Sequence, residues 1–226
     1  MARALPGAAF STESAAPVGA AVFPLRFERV AMKDHATDES ERTLLHNRRV
    51  HCAGYLRKDG LIDIEGCIED VKTTACDTLY KTVNAGEFFH RMRLVLTVDM
   101  DFLIHEVKAG TDAAPTPICG NIANAYSALK GLTIGPGFKK KAAHLVGGVH
   151  GCTHITELLG PMATTLYQTT FDMLHEAENR RAASDPDYQR PRPWVIGTCH
   201  AYHPDSEVTR LILRDAGLAG ETNGNH

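Results

Sequence analysis

Phe88-Phe89-His90-Arg91-Met92-Arg93-Leu94-Val95-Leu96-Thr97-Val98-Asp99-Met100-Asp101 is the stretch that decides the fold. Phe88, His90, Met92, Leu94, Leu96 and Val98 alternate with Glu87, Arg91, Arg93, Thr97 and Asp99, a period of two that marks a strand with one buried face. On its N-terminal side, Asn47 to Arg57, the turn Lys58-Asp59-Gly60 and Leu61 to Lys72 read as a hairpin. On its C-terminal side, Phe102 to about Ala109 is a further strand, close enough to pair antiparallel. After Pro117 the pattern turns helical, over Asn121 to Leu132, over Phe138 to Val146 behind Gly135-Pro136-Gly137, and over 152 to about 180. In the last, Ile155, Leu158, Leu159, Met162, Leu166, Met173 and Leu174 keep helical spacing, and Pro161 should kink the helix. Ala182 to Pro193 reads as a loop, Trp194 to Tyr202 as a last strand or extended piece, and Ser206 to Asp215 as a short helix. Strands first and helices later predict an α+β fold, with an antiparallel sheet from the N-terminal half packed against the long kinked helix and shorter helices.

Three segments are expected: a flexible arm over 1–45, one α+β catalytic domain over 46–216, and a disordered tail over 217–226. Val22, Phe23, Leu25 and Phe27 can dock the arm on the body or on a partner subunit, which points to a homo-oligomer. A hydrophobic fraction of 43% with 23% charged residues belongs to a soluble globular protein with a core of ordinary size. The net charge of −3 and the scattered basic residues argue against a nucleic-acid partner. Lys139-Lys140-Lys141 is short enough to be a solvated helix face. No apolar run reaches membrane-spanning length, so no membrane partner is expected. The six cysteines form no C-x-x-C pair, and the first residues lack an unbroken apolar signal segment; both point to a reduced, cytoplasmic protein.

Chemistry concentrates in Gly151-Cys152-Thr153-His154-Ile155-Thr156-Glu157-Leu158-Leu159-Gly160-Pro161. At a helix start His154 and Glu157 share one face, and the unsatisfied N–H groups and positive dipole end favour an anion or thiolate. A capped helix with a hydrogen-bonded histidine is the plain alternative. His90 lies on the apolar face of its strand, so a partner must satisfy its imidazole, either a backbone carbonyl or a site. Asp112, in Thr111-Asp112-Ala113-Ala114-Pro115, sits at the sheet's rim as a turn aspartate or a functional carboxylate. Cys199-His200-Ala201-Tyr202-His203 adds imidazoles and a thiol, without a standard zinc spacing. His90, Asp112, His154, Glu157 and His200 suffice for a three-ligand metal site or for metal-free acid–base catalysis. Cys152 as a nucleophile ranks below these, because side chains two apart in a helix diverge. Gly131-Leu132-Thr133-Ile134-Gly135-Pro136-Gly137 lacks the spacing of a nucleotide loop and reads as a tight turn. Arg48, Arg49 and Arg57 can bind a carboxylate or keep a strand edge soluble.

Arg48-Arg49-Val50-His51-Cys52-Ala53-Gly54-Tyr55-Leu56-Arg57-Lys58-Asp59-Gly60-Leu61-Ile62-Asp63-Ile64-Glu65-Gly66 resembles the opening of the bacterial domain-of-unknown-function family numbered 2889. Ala85-Gly86-Glu87-Phe88-Phe89-His90-Arg91-Met92, Thr111-Asp112-Ala113-Ala114-Pro115, Ile134-Gly135-Pro136-Gly137-Phe138, Gly151-Cys152-Thr153-His154, Glu157-Leu158-Leu159-Gly160-Pro161 and Cys199-His200-Ala201 are similar to its later motifs, in the same order. The resemblance spans roughly residues 47 to 203 and departs from the family pattern at Cys52-Ala53 and Phe88-Phe89. Some members resemble γ-formaldehyde lyases of lignin-dimer breakdown, which take a hydroxymethyl carbon from a phenylcoumaran and leave a stilbene.

That resemblance implies a lyase acting on a small aromatic dimer; the residues expected to serve it are His90, His154, Asp112 and Glu157 as catalytic groups and Arg49, Tyr55, Arg57 and Phe89 as substrate-binding groups. The chemistry needs a base for the γ-hydroxyl proton and an acid or Lewis acid for the departing aryl ether. No organic cofactor is expected; a divalent metal, zinc foremost, is an option on His90, His154 and His200. A metal-dependent hydrolase of an aromatic ester or amide, or a non-catalytic aromatic-binding protein, are the alternatives. The geometric expectation is sharp. The helix start should lie on the inner face of the His90 strand, bringing the ring nitrogens of His90 and His154 to within on the order of 3–6 Å. A cavity lined by the two, with Asp112 or His200 at its edge, would then be the site.

Overall fold

A computed structural model describes residues 42–218. Residues 1–41 of the arm expected over 1–45 and residues 219–226 of the tail expected over 217–226 lie outside the described residues, and with them the expected docking of Val22 to Phe27. Among the described residues, those from 44 to 218 form one unit. β1 (His46–Leu56) and β2 (Ile62–Lys72) form the expected hairpin, followed by a two-stranded ribbon of β3 (Cys76–Asp77) and β4 (Thr82–Val83) that sequence reading missed. β5 (Phe88–Val98) and β6 (Ile104–Ala113) complete a four-stranded antiparallel sheet in the order β1-β2-β5-β6.

The expected helix over 121–132 is a run of 3₁₀ turns, Pro117–Leu129. α1 (Phe138–Val146), α2 (Thr153–Ser184) and α3 (Glu207–Asp215) follow, the last capped by Ser206, which accepts from the Thr209 N–H. Trp194 to Tyr202 is not a strand but a series of turns. Among the described residues no helix is long and apolar enough to cross a membrane. The architecture is α+β.

Alternation sorts the sheet cleanly. Ile62, Ile64, Ile68, Met92, Leu94, Leu96 and Val98 point inward, where Ile155, Leu158, Met162 and Leu166 of α2 meet them. α2 continues through Pro161, and the Thr164 and Thr165 hydroxyls bond the carbonyls of Gly160 and Pro161. It lies almost along β1, because Arg48 meets Glu157 at one end and Gly54 meets Thr169 at the other. Twelve helical residues rise about 18 Å and six strand residues about 20 Å, so the two elements keep pace.

Such close approach requires glycine. A Cβ on Gly66 would stand 2.6 Å from the Met162 sulfur, and one on Gly54 would overlap the Thr169 side chain. Met162 can bend away; β-branched Thr169, whose hydroxyl also bonds the Thr165 carbonyl, cannot. Gly54→Ala is therefore expected to destabilise the protein by about 1–3 kcal/mol through overpacking, read from urea unfolding. An unchanged midpoint would show that α2 lifts freely from β1.

Candidate active site

Beyond the apolar part of the sheet the inward positions turn polar: His46 and Arg48 on β1, Asp70 on β2 and His90 on β5. The register sets Arg48 opposite Asp70 and Asp70 opposite His90. Asp70 continues the inward row of Ile62, Ile64, Gly66 and Ile68, and its side chain is 1% exposed. A buried carboxylate must be bonded, and this one is saturated. Arg48 grips it bidentately (Nε to Oδ1 2.7 Å, Nη2 to Oδ2 2.8 Å), while His46 Nε2 lies 3.0 Å from Oδ1 and His90 Nδ1 3.0 Å from Oδ2. Arg48 reaches on with Nη1 to Glu157 on α2, at 2.7 Å.

The helix start brings the second imidazole. The rings of His90 and His154 stack with centroids 3.8 Å apart at 31°, and His154 Nε2 stands 3.7 Å from Asp70 Oδ2. The two histidines are thus on one side of the sheet, as expected. On the far edge of His154, Nδ1 lies 3.9 Å from the Cys152 sulfur. The expectation that Cys152 and His154 diverge fails because Cys152 is the extended N-cap residue (φ −107°, ψ 128°) and not a helical neighbour. Its N–H donates to the Tyr126 hydroxyl, which in turn donates to the Cys152 carbonyl.

Burial alone would push the Asp70 carboxyl up; the bonds from Arg48, His46 and His90 overcome it and hold the group well below the ordinary carboxylate range. Arg48 is raised above its usual value, first by its bond to Asp70. His90 is lowered, first by burial and then by neighbouring His154, with Asp70 pulling partly back. Burial and the Arg48 charge lower His154 as well. Both imidazoles are therefore neutral near pH 7. With Asp70 accepting from His90 Nδ1–H, Nε2 of that ring carries the free lone pair.

Asp70, His90 and His154 offer three ligand atoms within 4.8 Å of one another and could hold a metal ion. Donors around a tetrahedral zinc stand about 3.3 Å apart, close to the 3.0 and 3.7 Å found from Asp70 Oδ2 to the two rings. A metal there would displace the His90 proton from Oδ2, and the Arg48 cation beside the carboxylate opposes a divalent charge.

Other expected site residues are not gathered here. Asp112 bonds Arg93 at 2.7 Å on the outer face, across the sheet from the histidine pair. His200 is exposed in a turn and is not part of the ligand group; Asp70 takes the third place assigned to it. By alternation Arg49 and Tyr55 point outward, and Arg57 is bound to Asp59 and Asp63 at the hairpin turn. Phe89 does border the site, edge-on to the His90 ring at 4.9 Å. Phe88 does not share its face. A bulge between Asp70 and Val71 turns Phe88 outward against Arg91. Two grooves among the described residues lie on the outer face, one lined by His51, Cys67 and Arg93, the other by Arg49, Glu69 and Phe88. The rim of the histidine site is partly exposed, Glu157 about half and Arg48 more than a third.

Sheet and site together define an α+β protein with a carboxylate-anchored histidine pair at the mouth of its core. The family described as "Protein of unknown function (DUF2889)" matches residues 46–168, and the chain belongs to that family. No curated protein and no solved structure matches it.

Proposed function

We propose that the chain is a lyase releasing formaldehyde from a lignin-derived phenylcoumaran-type dimer to give a stilbene, by acid–base chemistry at His90 and His154. The observation that carries the acid–base part is the Asp70–His90 bond, which fixes one tautomer and leaves His90 Nε2 as a base beside a second neutral imidazole. His90 takes the γ-hydroxyl proton, the Cβ–Cγ bond breaks to release formaldehyde, and its electron pair forms the Cα–Cβ double bond. The Cα–O bond to the aryl ether breaks in the same direction, and the phenoxide receives a proton relayed through His154. Atoms, charge and oxidation level balance within the substrate. Phe89, beside His90, offers an aromatic surface for one ring, and Glu157 with Arg48 a polar rim. The substrate assignment rests on the family resemblance.

Incubating the protein with a phenylcoumaran and assaying formaldehyde and stilbene together tests the reading; neither product appearing removes it. The base must be neutral, and both imidazoles are lowered from the ordinary value. Activity should therefore fall as pH drops, along a kcat/KM limb centred below the ordinary histidine value of about 6.5. An acidic limb at or above that value would contradict neutral buried imidazoles.

The second reading, a metal-dependent hydrolase of an aromatic ester or amide, is favoured by the clustered Asp70, His90 and His154. Zinc suits that donor set best. Activity abolished by a chelator, restored by zinc and yielding an acid without formaldehyde would select it.

A further inference from the structure

The two edges of the sheet are treated differently. Along β6, Ile104 exchanges backbone bonds with the Gly131 to Leu132 turn, and Glu106 and Lys108 put charges on the strand. β1 carries Arg48 and Arg49, but among the described residues no segment is bonded along its outer edge. It runs eleven residues in unbroken register, without proline, lysine or bulge, and leaves Val50, Tyr55 and Leu56 about half exposed. The register shows which backbone groups are free. Thr73 N–H bonds the Leu45 carbonyl and Arg57 N–H the Leu61 carbonyl, so odd positions of β1 face β2 and the even positions His46 to Leu56 face away. Among the described residues no backbone or side-chain group bonds those outward N–H and carbonyl groups.

We infer that β1 pairs antiparallel with β1 of a second copy of this chain, joining two sheets into one of eight strands about a two-fold axis at His51. The strand is self-complementary in this register. Full overlap sets Val50 opposite the partner's Cys52, Arg48 opposite the partner's Gly54 and Arg49 opposite the partner's Ala53. Both arginines of one strand thus meet small residues of the other, and no arginine faces an arginine. Even positions meet even positions, so the free groups satisfy one another. The partner's Leu56 falls beside His46, the residue that bonds Asp70, and would form the outer wall of the histidine site. A second copy would therefore cover His46, whose side chain is 40% exposed in one copy.

Sedimentation of the full chain should give twice the chain mass, and Val50→Pro should return the monomer, since proline removes an outward N–H that the pairing uses. Retained far-UV circular dichroism would show that the variant still folds. Val50→Cys should form a reductant-sensitive covalent dimer with the partner's Cys52, whereas Leu56→Cys, placed opposite the partner's His46, should not. A wild-type monomer at every concentration overturns the inference, and is the result expected if a segment of the same chain or another protein fills the edge. So does a dimer that survives Val50→Pro with no cross-link through Val50→Cys. Neither mass nor cross-link depends on any activity, so the lyase reading stands or falls separately.

Discussion

His90→Ala is expected to lower turnover of a phenylcoumaran by about 10²- to 10⁴-fold, the range that a positioned base supplies. His90→Asn makes the test sharper. Its amide nitrogen stands near the place of Nδ1 and can still donate to Asp70 Oδ2, so the buried carboxylate keeps its full set of donors. What it lacks is the Nε2 lone pair. Stability should therefore remain close to wild type while formaldehyde release is lost, with kcat falling more than KM rises. A protein that unfolds would instead report a structural histidine. One that folds and keeps full turnover would take the chemistry away from His90 altogether. His154→Asn should cost less if its ring relays the proton, because water can reach a side chain 22% exposed.

Much of this arrangement was written in the chain. Period-two alternation placed His90 inward, and the apolar stripe with Ile155, Leu159 and Met162 placed the start of α2 against the same face. Asp70 was equally legible, since it extends the row Ile62, Ile64, Gly66, Ile68, and the hairpin turn at Lys58-Asp59-Gly60 fixes Arg48 opposite it. It stands in no local cluster of functional residue types, because this cluster is assembled across three strands. Asp112 misled for the converse reason. It ends the correct strand, but alternation sets it on the outer face with Arg93.

Other features had no local signal. The bulge that turns Phe88 outward depends on how β2 and β5 end, not on the residues of β5 alone. The extended conformation of Cys152 depends on the Tyr126 hydroxyl that holds its backbone, supplied from 26 residues away. The 3₁₀ turns over Pro117–Leu129 share their spacing of apolar residues with a short α-helix closely enough to mislead. Trp194 to Tyr202 reads as a last strand or extended piece, but Trp194 stacks on Tyr167 of α2, ring centroids 4.4 Å apart.

Asp70→Asn should be the most damaging single substitution at the site for stability. The carboxylate is the one anion that Arg48, His46 and His90 share, and removing one partner of a buried pair costs about 3–5 kcal/mol. Arg48 is more than a third exposed and keeps Glu157, so the loss should lie at the low end, about 3 kcal/mol. For a chain of this length that is a fall in Tm of about 6–12 °C. The pH dependence separates charge from shape. Asp70 is lowered in the folded state, so its contribution is complete above the unfolded carboxylate value of about 3.9 and is lost as pH falls through the folded value. The gap between wild type and Asp70→Asn should thus narrow below about pH 4. A gap that held its size in acid would mean that the asparagine fails by geometry. The ion pair at the mouth of the core would then hold the fold no better than a neutral hydrogen bond.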